Sequence, residues 1–568
     1  MIDSVTRATP IATLLISTIA ALASIFATPP GQAPSGRGSS ARADEPAPLA
    51  SDAPAPHSLS LAPAETQLRG PRAYQRLLAT AHFADGRMAD FSRVVKYEVA
   101  ETAIATVDAA GVVTPKADGQ TTVTVRWRDM SAQAKVVVSG MSEPAPIDFR
   151  TEVIAALSRA GCNQGACHGS PQGKDGFRLS LRGFDPDLDL QTLSRDDGAR
   201  RVNPFQPETS LILQKGLGRV PHQGGKRFAT DDAVHRTLRG WIAEGCAASP
   251  KDSRQLETIE ILPSSRALAS GHPEQQLAVV ARFSDGTTAD VSRLAVFSTR
   301  LDPCVDVSLD GLVRFQRTGE ATILVRYLQQ VRSVHLTYVE RDPAYAFRGP
   351  AATNVVDKHV FQKQQELQLN PAPLADDATF LRRVYLDTIA TLPTAAEARE
   401  FLDSSDPNKR ERLIDRLLER DEFAPFWALK WADVMRGNRT TVSQRGVHSL
   451  HRYLVASFAE DRPFDQLARE LVTGQGNTLH RPAANFFRIS PTPEEAAESF
   501  AQLFLGVRVQ CAKCHNHPFE SLTQSDYYGL AAYFARVKIK GKQFGSDEEI
   551  VYVTRQGEVQ HPLTRKNL

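Results

Sequence analysis

Apolar residues change their spacing twice along this chain, and each change predicts a different kind of structure. Over residues 58–140, and again over 256–341, short runs alternate between apolar and polar, as in Thr122-Val123-Thr124-Val125-Arg126-Trp127 and Thr322-Ile323-Leu324-Val325-Arg326-Tyr327. A period of two, β-branched and aromatic residues, and D-G turns between the runs predict about seven short strands per segment and a small β-sandwich. Over 146–250 the spacing turns helical. Phe149, Val153, Leu157 and Ala160 share one face of a helix that Gly161 stops, and Val234, Leu238, Trp241 and Ile242 share a face of a second. Beyond Pro343 helical spacing takes over, with Leu381, Val384, Tyr385 and Thr388 on one helix and Leu413, Leu417, Trp427 and Trp431 on others, the two tryptophans reading as core. Thr492-Pro493-Glu494-Glu495 is a capping box with proline at the first helical position. It opens a helix that places Ala496, Phe500, Leu503, Phe504 and Val507 on one face and leads to Cys511.

The two β segments are copies of each other. At an offset of 200 residues Phe83-Ala84-Asp85-Gly86 meets Phe283-Ser284-Asp285-Gly286, Ala89-Asp90 meets Ala289-Asp290, Ser92-Arg93 meets Ser292-Arg293, and Val125-Arg126-Trp127 meets Val325-Arg326-Tyr327. Neither copy holds a catalytic constellation. A length of 568 residues implies about three to five domains. A net charge of +2 gives no electrostatic case for nucleic acid, which is excluded as a partner.

Near the N-terminus Arg7 precedes an apolar run from Ile11 to Ala27, and Ala41-Arg42-Ala43 before Asp44 has the form of a cleavage site, with Ala27 a second choice. Residues 1–43 therefore read as a signal peptide with a low-complexity start, or as a membrane anchor, since the run is close to the lower length for a span. Both readings send the protein to the periplasm or the cell surface.

The candidate chemistry lies in two cysteine motifs. Cys511-Ala512-Lys513-Cys514-His515 is a C-x-x-C-H run, the spacing at which two thioethers hold a porphyrin and the next histidine ligates its iron. Cys162-Asn163-Gln164-Gly165-Ala166-Cys167-His168 has four residues between its cysteines, which asks for a wider loop and a turn that Gly165 could supply. Cys511, Cys514, His515 and His517 also suit a zinc site, and Cys162 with Cys167 a disulfide. Haem c is the expected cofactor, one group at Cys511–His515 and a second at Cys162–His168.

Three resemblances follow from these residues. The F-x-D-G, A-D-x-S and "V-D-A-A-G-V-V" pattern resembles bacterial immunoglobulin-like domains of group 2, which implies two all-β Ig-like sandwiches acting as spacers or as contacts to a cell surface or polysaccharide. The segment 146–250, with its opening helix, motif, irregular stretch and closing helix, resembles a small all-α cytochrome c domain. No methionine lies between His168 and Cys246, leaving His222 and His235 as imidazoles for the sixth position. His222, in Val220-Pro221-His222-Gln223-Gly224-Gly225, occupies a loop where related domains carry methionine, and it is the choice.

The runs Leu413-Ile414-Asp415-Arg416-Leu417-Leu418, Arg462-Pro463-Phe464-Asp465, Phe504-Leu505-Gly506-Val507-Arg508 and Cys511 to Phe519 resemble the large exported cytochrome-associated proteins of planctomycete bacteria. That likeness covers a larger, mainly α domain of unknown function at 350–540. It implies that 541–568 begins a truncated following region. For a haem at Cys511–His515, Met435, His448, His451 and His480 are all open as distal ligands. The expected function is an exported, dihaem c-type cytochrome that passes electrons to a redox partner protein. A haem-dependent oxidase or peroxidase, and an adhesion or carbohydrate-binding protein with structural zinc, are the alternatives; whether the chain is an enzyme stays open.

Overall fold

The computed structural model describes residues 55–142, 145–299, 304–517, 522–541, 548–562 and 564–568. The expected signal peptide lies outside them. Among the described residues no helix is long and apolar enough to cross a membrane.

The alternating segments fold as strands, and the repeat is visible strand for strand. Copy one runs from Ser58–Ala62 to Met130–Ser139 and copy two from Leu256–Leu262 to Gln330–Tyr338, with ten strands in each. The excess over seven comes from pieces of two to four residues, such as Gln75–Arg76 and Met88–Asp90, which turns and bulges cut from longer apolar runs. Each copy ends in a long antiparallel hairpin in the same register, Ala134 opposite Val123 and Val334 opposite Ile323. The inward-facing Val123, Val125, Val136, Ile323, Val325 and Leu336 have no exposed surface. Burying each stabilises the fold by about 1.5–3 kcal/mol.

The copies dock on each other. Strands Ser58–Ala62, Leu78–His82 and Met88–Asp90 of copy one continue through Arg266–Leu268 into three further strands of copy two, making one seven-stranded sheet. Two buried carboxylates close the junction. Asp90 accepts hydrogen bonds from the Gln276 amide at 2.5 Å and Gln275 Nε2 at 3.4 Å, and Asp290 accepts from the Arg76 amide at 2.7 Å and Gln75 Nε2 at 3.3 Å. Gln75 matches Gln275 at the 200-residue offset, and the Arg76 amide holds the place of the Gln276 amide, so the copies face each other across a local two-fold. The β modules therefore form a clasp, whereas spacers strung end to end would leave these faces apart.

Between them, the predicted opening helix runs Phe149–Val153 and Ile154–Ala160. Asp148 caps its start by accepting from the Thr151 amide, and Gly161 ends it at φ 76°. The closing helix is Ala233–Ala243. Phe149, Val153, Leu157, Leu238, Trp241 and Ile242 are buried in a core continuous with that of copy two. The Tyr327 hydroxyl donates to the Thr151 carbonyl at 2.8 Å, and Arg159 to the Ala295 carbonyl at 2.8 Å, fixing this segment on the second β module.

The C-terminal region is mainly helical. Leu381, Tyr385, Ile389, Phe401, Leu413 and Leu417 make one core, and helices Phe423–Val434, Arg439–Ala459 and Phe464–Val472 contribute to another around Leu450, Leu454, Leu467 and Phe486. Trp427 and Trp431 are half-buried, with the Trp427 indole donating to the Thr388 carbonyl and Trp431 against Phe464. The helix from Pro493 carries the expected capping box, but its last turn is Ala501–Leu505 and Gly506 stops it at φ 67°. Val507 thus lies beyond the face predicted for it. Strand Ile550–Val553 pairs with Val537–Lys540 and Gly476–Asn477, so the last residues return to the helical region.

Candidate functional site

The loop that follows the Gly161 stop is tied back on itself. The His168 amide donates to the Cys162 carbonyl at 3.0 Å and the Gly169 amide to the Gln164 carbonyl at 2.9 Å. Gly165 adopts no left-handed conformation, so the turn expected of it is made elsewhere. A Cβ on Gly169 would sit 2.2 Å from the Asn163 carbonyl oxygen, and the turn closes because that atom is missing.

This loop forms one wall of a cavity of about 430 Å³, with Cys162, Cys167 and His168 on the wall and His222 facing them. That size falls in the range of cofactor sites. His168 Nδ1 donates to the Phe177 carbonyl at 3.0 Å, and His222 Nδ1 donates to the Gly225 carbonyl at 2.9 Å. Each imidazole is thereby oriented with Nε2 left for a ligand. Their rings are parallel to within 3°, with centroids 6.4 Å apart. Two imidazoles that share one metal ion on opposite sides at about 2.0 Å each have centroids about 6.2 Å apart, once ~1.1 Å from nitrogen to ring centre is added on both sides. Burial, reinforced by His222 and Lys215, holds His168 below its usual pKa and so keeps it neutral. Burial pushes the Cys162 thiol up to about 11. Cys162 and Cys167 are both free thiols, so the disulfide alternative is not formed.

Lys174, Arg200, Arg201, Lys215 and Arg227 line the same cavity, against Asp175 and Asp197. Such an excess of cations suits a ligand that carries carboxylates. Two cysteines, two imidazoles and a cationic wall thus line one cavity, a set of side chains compatible with an anionic, metal-bearing group. Sequence reasoning missed the cationic wall and the two carbonyls that orient the imidazoles. The basic density from Arg195 to Arg227 was a readable signal; the carbonyls left none. His235, the other imidazole, is 1% exposed and accepts from the Asp231 amide at 3.2 Å, within the closing helix and off the cavity wall.

Cys511, Cys514 and His515 are placed differently. The short helical turn Gln510–Lys513 leaves both thiols exposed, and neither lines the cavity described above. His515 Nδ1 donates to the adjacent Asn516 carbonyl at 2.7 Å, while the Asn516 side chain accepts from the Gln524 amide at 2.9 Å. The loop is therefore held by helix Gln524–Ala532. Met435 is 2% exposed inside the helical core, and His448, His451 and His480 make no hydrogen bond or ring contact with the motif among the described residues. Among those residues no three His, Cys, Asp or Glu side chains gather as a metal site, so Cys511, Cys514, His515 and His517 are not assembled as the zinc alternative requires.

Comparison with known proteins gives two family matches. Residues 72–138 match the model of the bacterial Ig-like domain (group 2), and residues 355–539 match PSCyt2, a protein of unknown function (DUF1549). No curated protein matches the chain. Among solved structures, domains 5–6 of the S-layer protein SbsC are 11% identical, with 51% of this chain and 100% of that one covered at a TM-score of 0.21. Domains 4–9 of SbsC are 10% identical over 53% of this chain and 34% of that one, also at 0.21. The protocadherin GammaB4 extracellular domain is 11% identical over 52% and 53%, at 0.11. These scores lie below the level at which a shared fold follows. The chain is thus a multidomain protein that carries a group 2 bacterial Ig-like domain at 72–138 and a DUF1549 domain at 355–539.

Proposed function

We propose that this chain is an exported c-type cytochrome that relays electrons to a redox partner protein, with its best-formed haem site at Cys162, Cys167, His168 and His222. The observation that carries this reading is the pair of parallel imidazoles 6.4 Å apart across a cavity that both cysteines line. When bound, the haem supplies one-electron transfer at its iron. Cys162 and Cys167 would anchor it, and His168 and His222 would hold its iron, a pairing of lower potential than Met/His. Arg201, stacked on Phe177 and paired with Asp197 at 2.6 Å, would stiffen the wall beneath the haem carboxylates. Cys511, Cys514 and His515 would hold a second, more exposed haem. The Ig-like domain and the leader-like start support export, and the β clasp would offer its outer faces to a cell surface or polysaccharide.

Mass spectrometry and a reduced haemochrome spectrum of protein made with periplasmic cytochrome maturation test this reading. One or two covalent haem masses are expected, and the Cys162→Ala/Cys167→Ala variant should lose one. His222→Ala should convert the upstream haem from a six-coordinate, low-spin spectrum to a high-spin one. Protein without covalent haem would end the proposal.

A further inference from the structure

A second cavity, about 180 Å³, lies where the segment 146–250, the second β module and the loop after His515 meet. Arg150, Arg182, Arg326, Gln255, Gln329 and Asn516 are among the residues that line it, and no Asp or Glu is. Arg150 is paired with Asp187 at 2.6 Å. The other two arginines have no such partner: among the described residues neither the Arg182 nor the Arg326 guanidinium makes a hydrogen bond or ion pair. Arg326 is only 8% exposed. An arginine with so little of its surface exposed stays charged and gains from a counter-charge. Burial and the neighbouring Arg182 push Arg326 down to about 9, which still leaves it a cation at neutral pH.

The internal repeat shows what has been removed. In copy one Arg126 holds the same strand position and pairs with Glu98 at 3.1 Å on an open surface. In copy two the residue matching Glu98 is Ser298, and the residue matching Asp129 in the hairpin turn is Gln329. The copy whose arginine faces the cavity is the copy in which the paired carboxylate, Glu98, is replaced by the neutral Ser298. Arg182 is held there at φ 56°, in the left-handed region that is unfavourable for a non-glycine residue. Its amide is fixed on the Asn163 carbonyl at 2.9 Å, inside the upstream cysteine loop. A strained backbone directs a second cation at a site that already lacks an anion.

We infer that this cavity binds one compact oxyanion, a sulfate, phosphate or carboxylate group, between Arg182 and Arg326. The anion has two available sources: a free ion, or a carboxylate of a cofactor attached at Cys511 and Cys514, since Asn516 follows His515 directly and lines the cavity. Only the second source rests on the cytochrome reading.

Inorganic sulfate is the probe, added to the full-length matured protein and to its Cys511→Ala/Cys514→Ala variant while melting temperature and heat of binding are followed. A saturable rise in both proteins identifies a free-ion site. A rise only in the cysteine variant identifies the tethered carboxylate as the occupant of the parent. In either case Arg326→Met should weaken sulfate binding about tenfold or more, and Arg126→Met should leave it unchanged. Arg326→Met should also melt higher than the parent in low-salt buffer free of oxyanions, because it removes the repulsion with Arg182. Arg182→Gln serves as the second variant should Arg326→Met fail to fold. No response to sulfate in either protein, or a response that survives both arginine substitutions, would overturn the site.

Discussion

At the scale of single residues, Asp189 shows how a buried carboxyl braces the turn that carries Arg182. It has no exposed surface, and its two oxygens accept from the Ser180 amide at 2.5 Å and the Ser180 hydroxyl at 2.7 Å. Ser180 in turn begins the Leu181–Gly183 turn that carries Arg182. Burial raises the Asp189 carboxyl to about 7, from about 3.9 in an unfolded chain. Between those values the folded state holds a proton that the unfolded state has lost, so this group's contribution falls as pH rises through the window and is smallest above 7. Asp189→Asn keeps an acceptor for the Ser180 amide and cannot ionise. Its melting temperature should vary less than the parent's between pH 4.5 and 8, with a gain at pH 8 of up to about 4 kcal/mol. Parallel pH profiles for the two proteins would refute the assignment. Nothing in the sequence singles out Asp189 among Asp185, Asp187 and Asp189, because all three sit at the start of one helix, where any carboxylate is favourable. That His222 is a candidate could be read from the methionine count and the loop, and the fold puts it on the cavity wall. The pairing of its ring with His168 could not be read there.

Elements were easiest to read where a local rule both starts and stops them. Asp148 and Gly161 bracket the opening helix, and Thr492 with Glu495 starts the helix before Cys511. Thr492 accepts from the Glu495 amide at 3.2 Å, and Glu495 accepts in return from the Thr492 amide at 3.1 Å. Thr492→Ala should therefore cost about 1 kcal/mol, measured by chemical denaturation, with no change in the upstream haem spectrum because no part of that cavity rests on this helix. A loss much above 2 kcal/mol would mean that the cap also braces the Cys511 loop. The period of apolar residues fails at the far end, where Ala501–Leu505 widens into a π turn before Gly506 and leaves Val507 off the predicted face, while Leu503 and Phe504 still pack on the core. Strand count failed for a related reason: two-residue strands such as Gln75–Arg76 are too short to show a period, and only pairing with Val112–Val113 defines them. The two motifs illustrate the same limit. Spacing alone favoured Cys511–His515, while the fold gives the facing imidazole and the cavity to Cys162–His168.

For the whole molecule, the repeat has a consequence that neither copy shows alone. Each copy presents the same strand edge to the other, so Asp90 and Asp290 perform the same task at two ends of one junction. Asp90→Ala strands the Gln276 amide, and Asp290→Ala strands the Arg76 amide; each also removes the acceptor for its own Ser92 or Ser292 amide. A buried donor left without a partner costs about 1–3 kcal/mol, so each substitution should destabilise by on the order of 3 kcal/mol and the two values should agree. The double variant should cost less than their sum, because a junction opened at one end no longer buries the other. Urea denaturation of the four proteins measures the cycle, and small-angle scattering measures the shape. The parent should be compact, and the double variant should gain radius as the modules part. Additive energies with unchanged scattering would show instead that each carboxylate serves only its own module. On the proposed cytochrome reading, the clasp also bears on electron transfer. The segment that holds His168 and His222 enters and leaves through modules that are locked together, and it is pinned to the second by Tyr327 and Arg159. Opening the junction should then broaden the upstream haem's redox titration, because loosening both ends of the segment lets the imidazole pair sample more than one geometry.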